Sequence, residues 1–454
     1  MRSALQRPLL VVGFSVVALA GWLGLSPLLA VPGRSTVAVA PSGSASVAPG
    51  ASAAISTAPG PSPTPTVSAG PGTTALPGQP PPPTAPRLGI PTGTPSMRRT
   101  LDAWLPRLRA RAGIPGVSAA ISFPDGSMWV GASGLADVAA KRQVGPDTAF
   151  AVASISKTFT GALILALVED GRIALEVPVV TYLPELVIDR GITVRQLLDH
   201  SSGLRDFFFH KNIDAALLKE PGRRWDAADA LRYVGKPYFK PGTGWHYSNT
   251  NYLVLGLLAE RVGGASVAVQ LRERFIDPLG LSDTYYQAVE QPRSPTSHGY
   301  RFSGTGRTLP AIDLSDGTTV VPFTSVVTAA GAAGSIATSA GDLARWARAL
   351  YGGTVLGPQM REAMLAHVLR TTAYEPSTGY GLGVQVVTID GHATLGHSGR
   401  LLGFSAVMRW LPDKGVAIAV LTNQSRTDPD IVLRALLRIG LQQPSDCPIC
   451  PIRR

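Results

Sequence analysis

A mixed α/β fold over residues 98–443 follows from three observations. Strand-like and helix-like runs alternate along this stretch. Thr158 to Asp170 is apolar on nearly every face and stops at Gly171, the pattern of a buried helix with a glycine stop. Towards the other end, Phe404 to Trp410 and Val416 to Asn423 flank a Pro-Asp-Lys-Gly turn, the pattern of an antiparallel hairpin. A stretch of about 345 residues is long enough to bury a large core.

What precedes it is of another kind. Met1 to Arg7 carries two arginines, and Pro8 to Gly33 has no charge and is rich in Leu, Val, Ala and Gly. That length suits a membrane-crossing helix, and Ala18-Leu19-Ala20 also fits a signal-peptide cleavage site. Cleavage there would leave Trp22, Leu23, Leu25, Leu28 and Leu29 exposed, which favours an uncleaved anchor over residues 1–31. Either reading exports the protein, and the lack of a nearby cysteine excludes a lipid-anchored form. Residues 32–97 are Pro, Ser, Thr, Ala and Gly, with no charge from Ser35 to Pro86. Such a stretch cannot bury enough apolar surface to offset its ordering entropy, so it is expected to be a disordered linker. The tail, residues 444–454, holds both cysteines of the chain as Cys447-Pro-Ile-Cys450. Two ligands do not close a zinc site.

The formal charge of +11 comes from arginines scattered along the chain. Nucleic-acid binding needs them clustered or set in a known motif, so that class is set aside. No H-E-x-x-H or H-x-H metal set, no P-loop and no G-x-S-x-G nucleophile elbow occurs.

Chemistry concentrates in three places. The first is Ser154-Ile-Ser-Lys157. Only seven of the 41 basic residues are lysine, and Lys157 alone has a serine three positions before it. Arginine cannot release its proton, whereas a desolvated lysine can, so Ser154 and Lys157 form a nucleophile-and-base pair on one face of the expected helix. The second is Tyr247-Ser-Asn249, just before an apolar helix over Tyr252 to Glu260. Asn249 is expected to cap that helix and Tyr247 to present its hydroxyl to a cleft. The third is Gly396-His397-Ser398-Gly399-Arg400, a glycine-flanked segment that permits close backbone approach and whose N–H groups, with that of Ser154, suit an oxyanion.

In this order the three elements resemble the serine β-lactamase and penicillin-binding protein family, whose motifs are S-x-x-K, then S-D-N or Y-x-N, then K-T-G. The tyrosine version is similar to class C β-lactamases, low-molecular-weight D-alanyl-D-alanine carboxypeptidases and related esterases. Gly113 to Phe123, Ala132 to Asp137, Leu197-Leu-Asp-His-Ser-Ser-Gly-Leu204 and Gly379-Tyr-Gly-Leu-Gly383 extend the likeness over residues 98–443. The resemblance implies a central antiparallel sheet with helices on both faces plus an all-helical subdomain. It implies that Ser154 is the acylated nucleophile and that Lys157 and Tyr247 are the bases. Asn249 would orient the substrate amide, His397 and Ser398 would face its carboxylate, and the N–H groups of Ser154 and Arg400 would hold the oxyanion, with Gly399 between them. His200 in the 197–204 loop is expected to be structural. Histidine at position 397, where class C β-lactamases carry lysine, shifts the expectation to a D-alanyl-D-alanine carboxypeptidase acting without cofactor or metal. Its charge is expected to vanish across neutral pH. The substrates implied are small peptides, β-lactams or esters, with peptidoglycan as a polymeric source and residues 8–31 as the membrane contact. A β-lactamase or esterase is the enzyme alternative, and a silent cell-wall-binding module the non-enzyme one.

Overall fold

The computed structural model describes residues 93–302, 311–315, 317–371 and 378–441. The expected export segment, the linker up to residue 92 and the CPIC tail lie outside the described residues.

The first helix, α1 (Pro95–Ala112), starts where its sequence sets it. Thr94 accepts a hydrogen bond from Met97 N at 3.3 Å, Pro95 occupies the first turn, and Gly113 closes the helix at φ 65°. The boundary expected at 98 therefore falls inside this helix.

Nine strands form one antiparallel sheet. In chain order they are β1 (Gly116–Ser122), β2 (Met128–Asp137), β3 (Arg142–Gln143), β4 (Leu369–Arg370), β5 (Gly379–Tyr380), β6 (Gln385–Ile389), β7 (His392–Leu401), β8 (Phe404–Leu411) and β9 (Val416–Thr422). Their spatial order is β3-β2-β1-β9-β8-β7-β6-β5-β4, so the first and last parts of the chain meet at the β1–β9 pair. The β8–β9 hairpin turns at residues 412–415, with Gly415 at φ 62°.

Side chains alternate across the pleat, and the two faces build two cores. Val117, Ile121, Val407, Val416, Ile418 and Val420 face Leu101, Leu105, Leu433 and Leu437. The latter four come from α1 and from the C-terminal helix, α5 (Asp430–Gly440). On the opposite face Ala120, Ala406, Ala417 and Ala419 are small, and there α2 (Ser156–Glu169) and α4 (Ala340–Gly352) pack. Phe159 of α2 stacks on Trp346 of α4 at 4.0 Å between ring centroids, and Trp346 donates to Thr158 Oγ1 at 2.9 Å. Short helices between residues 194 and 276, together with α3 (Asn249–Gly263), make the helical part beyond α2. The fold class expected from the sequence is the one found.

Candidate active site

From Thr148 to Leu167 a single residue, Ser154, is not buried. It does not lie in α2 itself. It occupies a 3₁₀ turn, Ala153–Ile155, that leads into the helix at Ser156, two residues earlier than the apolar pattern alone suggests. Ala153 has φ 48°, a left-handed conformation that costs a residue with a Cβ about 1–3 kcal/mol. The turn is pinned by Val152 N donating to Ile336 O at 3.1 Å and by strand β7. A Cβ on Gly399 would lie 2.0 Å from Val152 O and 3.2 Å from Ser154 N, so only glycine lets the strand press against the nucleophile turn.

Lys157 stands one turn on, fully buried. Its Nζ is 3.2 Å from Ser154 Oγ, 2.7 Å from Asn249 Oδ1 and 2.9 Å from the carbonyl of Ala333. The last two groups only accept. A neutral amine that donates to both has its lone pair left for the Ser154 hydroxyl, the geometry of a base ready to take that proton. Burial supplies the neutral form: desolvation pushes the lysine down to about 7, with the Asp206 carboxylate pulling the other way. The Tyr247 ring lies 4.9 Å from Nζ, measured to its centroid, and packs on the buried His200 ring at 4.4 Å. The three expected elements thus converge on Ser154.

Two side chains depart from their sequence reading. Asn249 does not cap α3. The cap position is Ser248, without a side-chain bond, and Asn249 is the first helical residue. Its amide bridges Lys157 and a residue the sequence analysis did not select, Asp206. Asn249 donates to Asp206 Oδ2 from Nδ2 at 2.7 Å and from its backbone N at 3.1 Å. Phe208 N donates to Oδ1 at 3.0 Å. An ionised carboxylate only accepts, so the amide turns its Nδ2 to Asp206 and its Oδ1 to Lys157.

Strand β7 outruns its neighbour. Strand β6 pairs with residues 392–396, leaving 397–401 with one edge open beside Ser154. Ser398 N donates across that edge to Gln385 Oε1 at 3.0 Å. Backbone groups two residues apart point the same way, so Arg400 N–H also faces the open edge, where an oxyanion would need it.

The Beta-lactamase family profile matches residues 101–442. The chain belongs to the Beta-lactamase family. It is 28% identical over 326 residues to penicillin-binding protein 4* of Bacillus subtilis, covering 70% of each chain. A D-aminopeptidase of Cereibacter sphaeroides is 28% identical over 332 residues, which are 72% of this chain and 60% of that one. Among solved structures, a D-stereospecific amidohydrolase from Streptomyces sp. superposes with a TM-score of 0.63 at 30% identity, covering 75% of this chain and 97% of that one. The D-amino acid amidase of Ochrobactrum anthropi SV3 superposes with a TM-score of 0.64 at 25% identity, covering 76% and 98%. The chain is therefore a serine hydrolase whose relatives include amidases and penicillin-binding proteins.

Within this Beta-lactamase-family site, His397 is not the titrating group expected. Its ring is buried, Nδ1 donates to Ser398 O at 2.6 Å, and Nε2 accepts from the Tyr380 hydroxyl at 2.9 Å. Desolvation, with Lys157 adding repulsion, holds it down at about 3. It is neutral throughout the physiological range and presents no cation to a substrate. Ser398 remains half-buried. Arg400 lies two positions on, so its side chain leaves the same face of the strand as that of Ser398. Its guanidinium is half-buried and makes no hydrogen bond or ion pair among the described residues, Asp428 acting on it only at a distance. His200, expected to be structural, is buried, and its Nδ1 accepts from Ser248 N at 3.2 Å. Among the described residues, Asp137, His298 and Asp313 bring potential metal ligands within 4.8 Å of one another, and none of them is a residue of this site.

Proposed function

We propose that the chain is an exported serine hydrolase that cleaves D-alanyl-D-alanine-type peptides through a Ser154 ester. The observation that carries this reading is the buried, deprotonatable Lys157 amine 3.2 Å from the Ser154 hydroxyl. Lys157 takes the Ser154 proton as Oγ attacks the scissile carbonyl. The carbonyl oxygen becomes an oxyanion on the Ser154 and Arg400 N–H groups. Collapse breaks the C–N bond, and the departing amine leaves with the proton held by Lys157, with Tyr247 at its side. Water repeats the sequence on the ester and frees the acid. Burial leaves His397 without charge, so the terminal carboxylate is read by the Arg400 guanidinium and the Ser398 hydroxyl. Export rests on the uncharged N-terminal segment and linker, which would hold the domain at the outer face of a membrane close to peptidoglycan.

The same uncharged His397 favours a second reading, hydrolysis of D-residue amides that carry no carboxylate, as the names of the amidase and aminopeptidase relatives suggest. The test compares a D-Ala-D-Ala peptide with its C-terminal amide in wild type and Arg400→Ala. Hydrogen bonds to charged groups contribute about 1.5–3 kcal/mol, so the carboxypeptidase reading expects KM for the acid to rise about 10- to 100-fold, with the amide unaffected. A wild type that prefers the amide, with neither substrate responding to Arg400→Ala, leaves the amidase reading in place. Intact-mass detection of a serine-directed phosphonate on wild type, absent in Ser154→Ala, checks the nucleophile for both.

A further inference from the structure

We propose that Asp206, acting through the Asn249 amide, is the positioning residue that holds Lys157 in register with Ser154 and balances the charge Lys157 acquires when it takes the serine proton. The inference rests on the Ser154–Lys157 reading above and assigns the residue that makes the lysine serviceable.

Asp206 is 1% exposed, and its partners in the structure are all N–H donors: Phe208 N, Asn249 N and Asn249 Nδ2. A protonated acid would place a hydrogen against one of them, so the ionised carboxylate is the form that fits. Burial pushes its pKa up, and the three donors with Lys157 oppose that. The unbroken sequence is carboxylate, amide, amine, hydroxyl: Asp206, Asn249, Lys157, Ser154. The amide fixes Nζ by its Oδ1 and is itself fixed by the carboxylate at its Nδ2. When the proton moves from Ser154 to Nζ, the new ammonium appears in a buried site with the Asp206 carboxylate one amide away.

The other titratable groups around Lys157 do not supply that charge. His200 and His397 are both driven to the neutral form, chiefly by burial. Burial keeps the Tyr252 phenol protonated, and the Tyr247 and Tyr252 ring faces lie 4.9 and 5.4 Å from Nζ. On the far side of Asp206 lie Tyr238, on which it acts electrostatically, and Arg205, whose guanidinium stacks on the Tyr238 ring.

The experiment is the pH profile of Ser154 acylation by a chromogenic ester, read as a burst, in wild type and Asp206→Asn. An opposite charge nearby favours the charged form of a group. Removing the carboxylate should therefore move the acid limb to lower pH, by about one unit, while the plateau rate falls at least 10-fold because the ammonium formed in the step has lost its counter-charge. A merely structural Asp206 would lower the rate or the folded fraction without moving the limb, and that result overturns the proposal. Should Asp206→Asn not fold, Asp206→Ser removes the charge and keeps a hydroxyl acceptor for the Asn249 amide. It must move the limb in the same direction, and an unmoved limb there has the same force. Wild type stands as the separate control: if it forms no ester at Ser154, the proposed reaction fails, whereas labelled wild type with an unshifted variant removes Asp206 alone.

Discussion

Two basic side chains flank the nucleophile, Lys157 from a helix and His397 from a strand, and both are fully buried. Desolvation lowers both, because burial penalises the charged form of any base. The lysine starts at 10.5 and is brought to about 7, whereas the histidine starts at 6.5 and is brought to about 3. The same physical cause leaves one group able to exchange a proton at neutral pH and the other inert. Under the desolvation found here a base must start from a high ordinary pKa to exchange a proton near neutral pH, which suits a lysine rather than a histidine beside Ser154. Its partners differ in kind as well. Lys157 has a carboxylate one amide away; His397 has only a hydroxyl and a carbonyl.

The largest effect that would break this comparison is Lys157→Arg. The charge stays and the proton no longer leaves. Loss of a general base costs about 10²- to 10⁴-fold, so acylation measured as a burst should fall in that range, nearly as far as in Lys157→Ala. An arginine variant with most of its activity would reduce Lys157 to an electrostatic role.

The pH profile follows from the same two values. Lys157 acts when neutral, so kcat/KM for an uncharged ester should rise with pH through about 7 and lose about tenfold for each unit below it. His397 is already neutral there, so it adds no inflection of its own between pH 4.5 and 7. A fall in peptide turnover near pH 6.5 that is absent for the ester would return His397 to the binding of the carboxylate.

These contrasts separate what the chain discloses from what it withholds. Ser154 and Lys157 are legible because any helical turn, here a 3₁₀ turn running into α2, brings i and i+3 together and because lysine is rare in this sequence. The β8–β9 hairpin is legible from its turn. Asp206 is not: it lies 52 positions after Ser154 in chain order, and only the fold brings it beneath Asn249. The available signal was a single acid set against Phe207-Phe-Phe209, a place where a charge is buried only with partners. Asn249 before an apolar run fits a cap equally well, and the choice between cap and bridge is made by what packs opposite. The state of His397 depends on how deep strand β7 lies, which no local pattern states.

Gly399→Ala comes next in size. Its new Cβ would meet Val152 O at 2.0 Å, a backbone atom that cannot swing aside. The strand or the turn must shift. Misplacing a nucleophile by about 1 Å costs about 100-fold in rate, and the phosphonate labelling rate of Ser154 should fall accordingly. Unchanged labelling would mean that the turn tolerates movement away from the strand.

The smallest expected effect is on stability, and it isolates the histidine. The folded pKa of His397 lies near 3, below the 6.5 of an unfolded histidine. Between those values the unfolded chain takes up a proton that the folded chain refuses. The stability associated with His397 is thus fully present above pH 6.5 and is lost as pH falls towards 3, at no more than about 1.4 kcal/mol per unit for one proton. His200, also driven well below its ordinary value by burial, adds a loss of the same sign. His397→Gln keeps an acceptor for the Tyr380 hydroxyl and removes the titration. Urea unfolding at pH 7.5, 6 and 5 should show the variant losing less stability than wild type across that range, while the ester profile keeps its limb at Lys157. Parallel losses in the two proteins would mean that His397 takes up its proton in the folded state after all, and the contrast between the two bases would then lie in their partners and not in their burial.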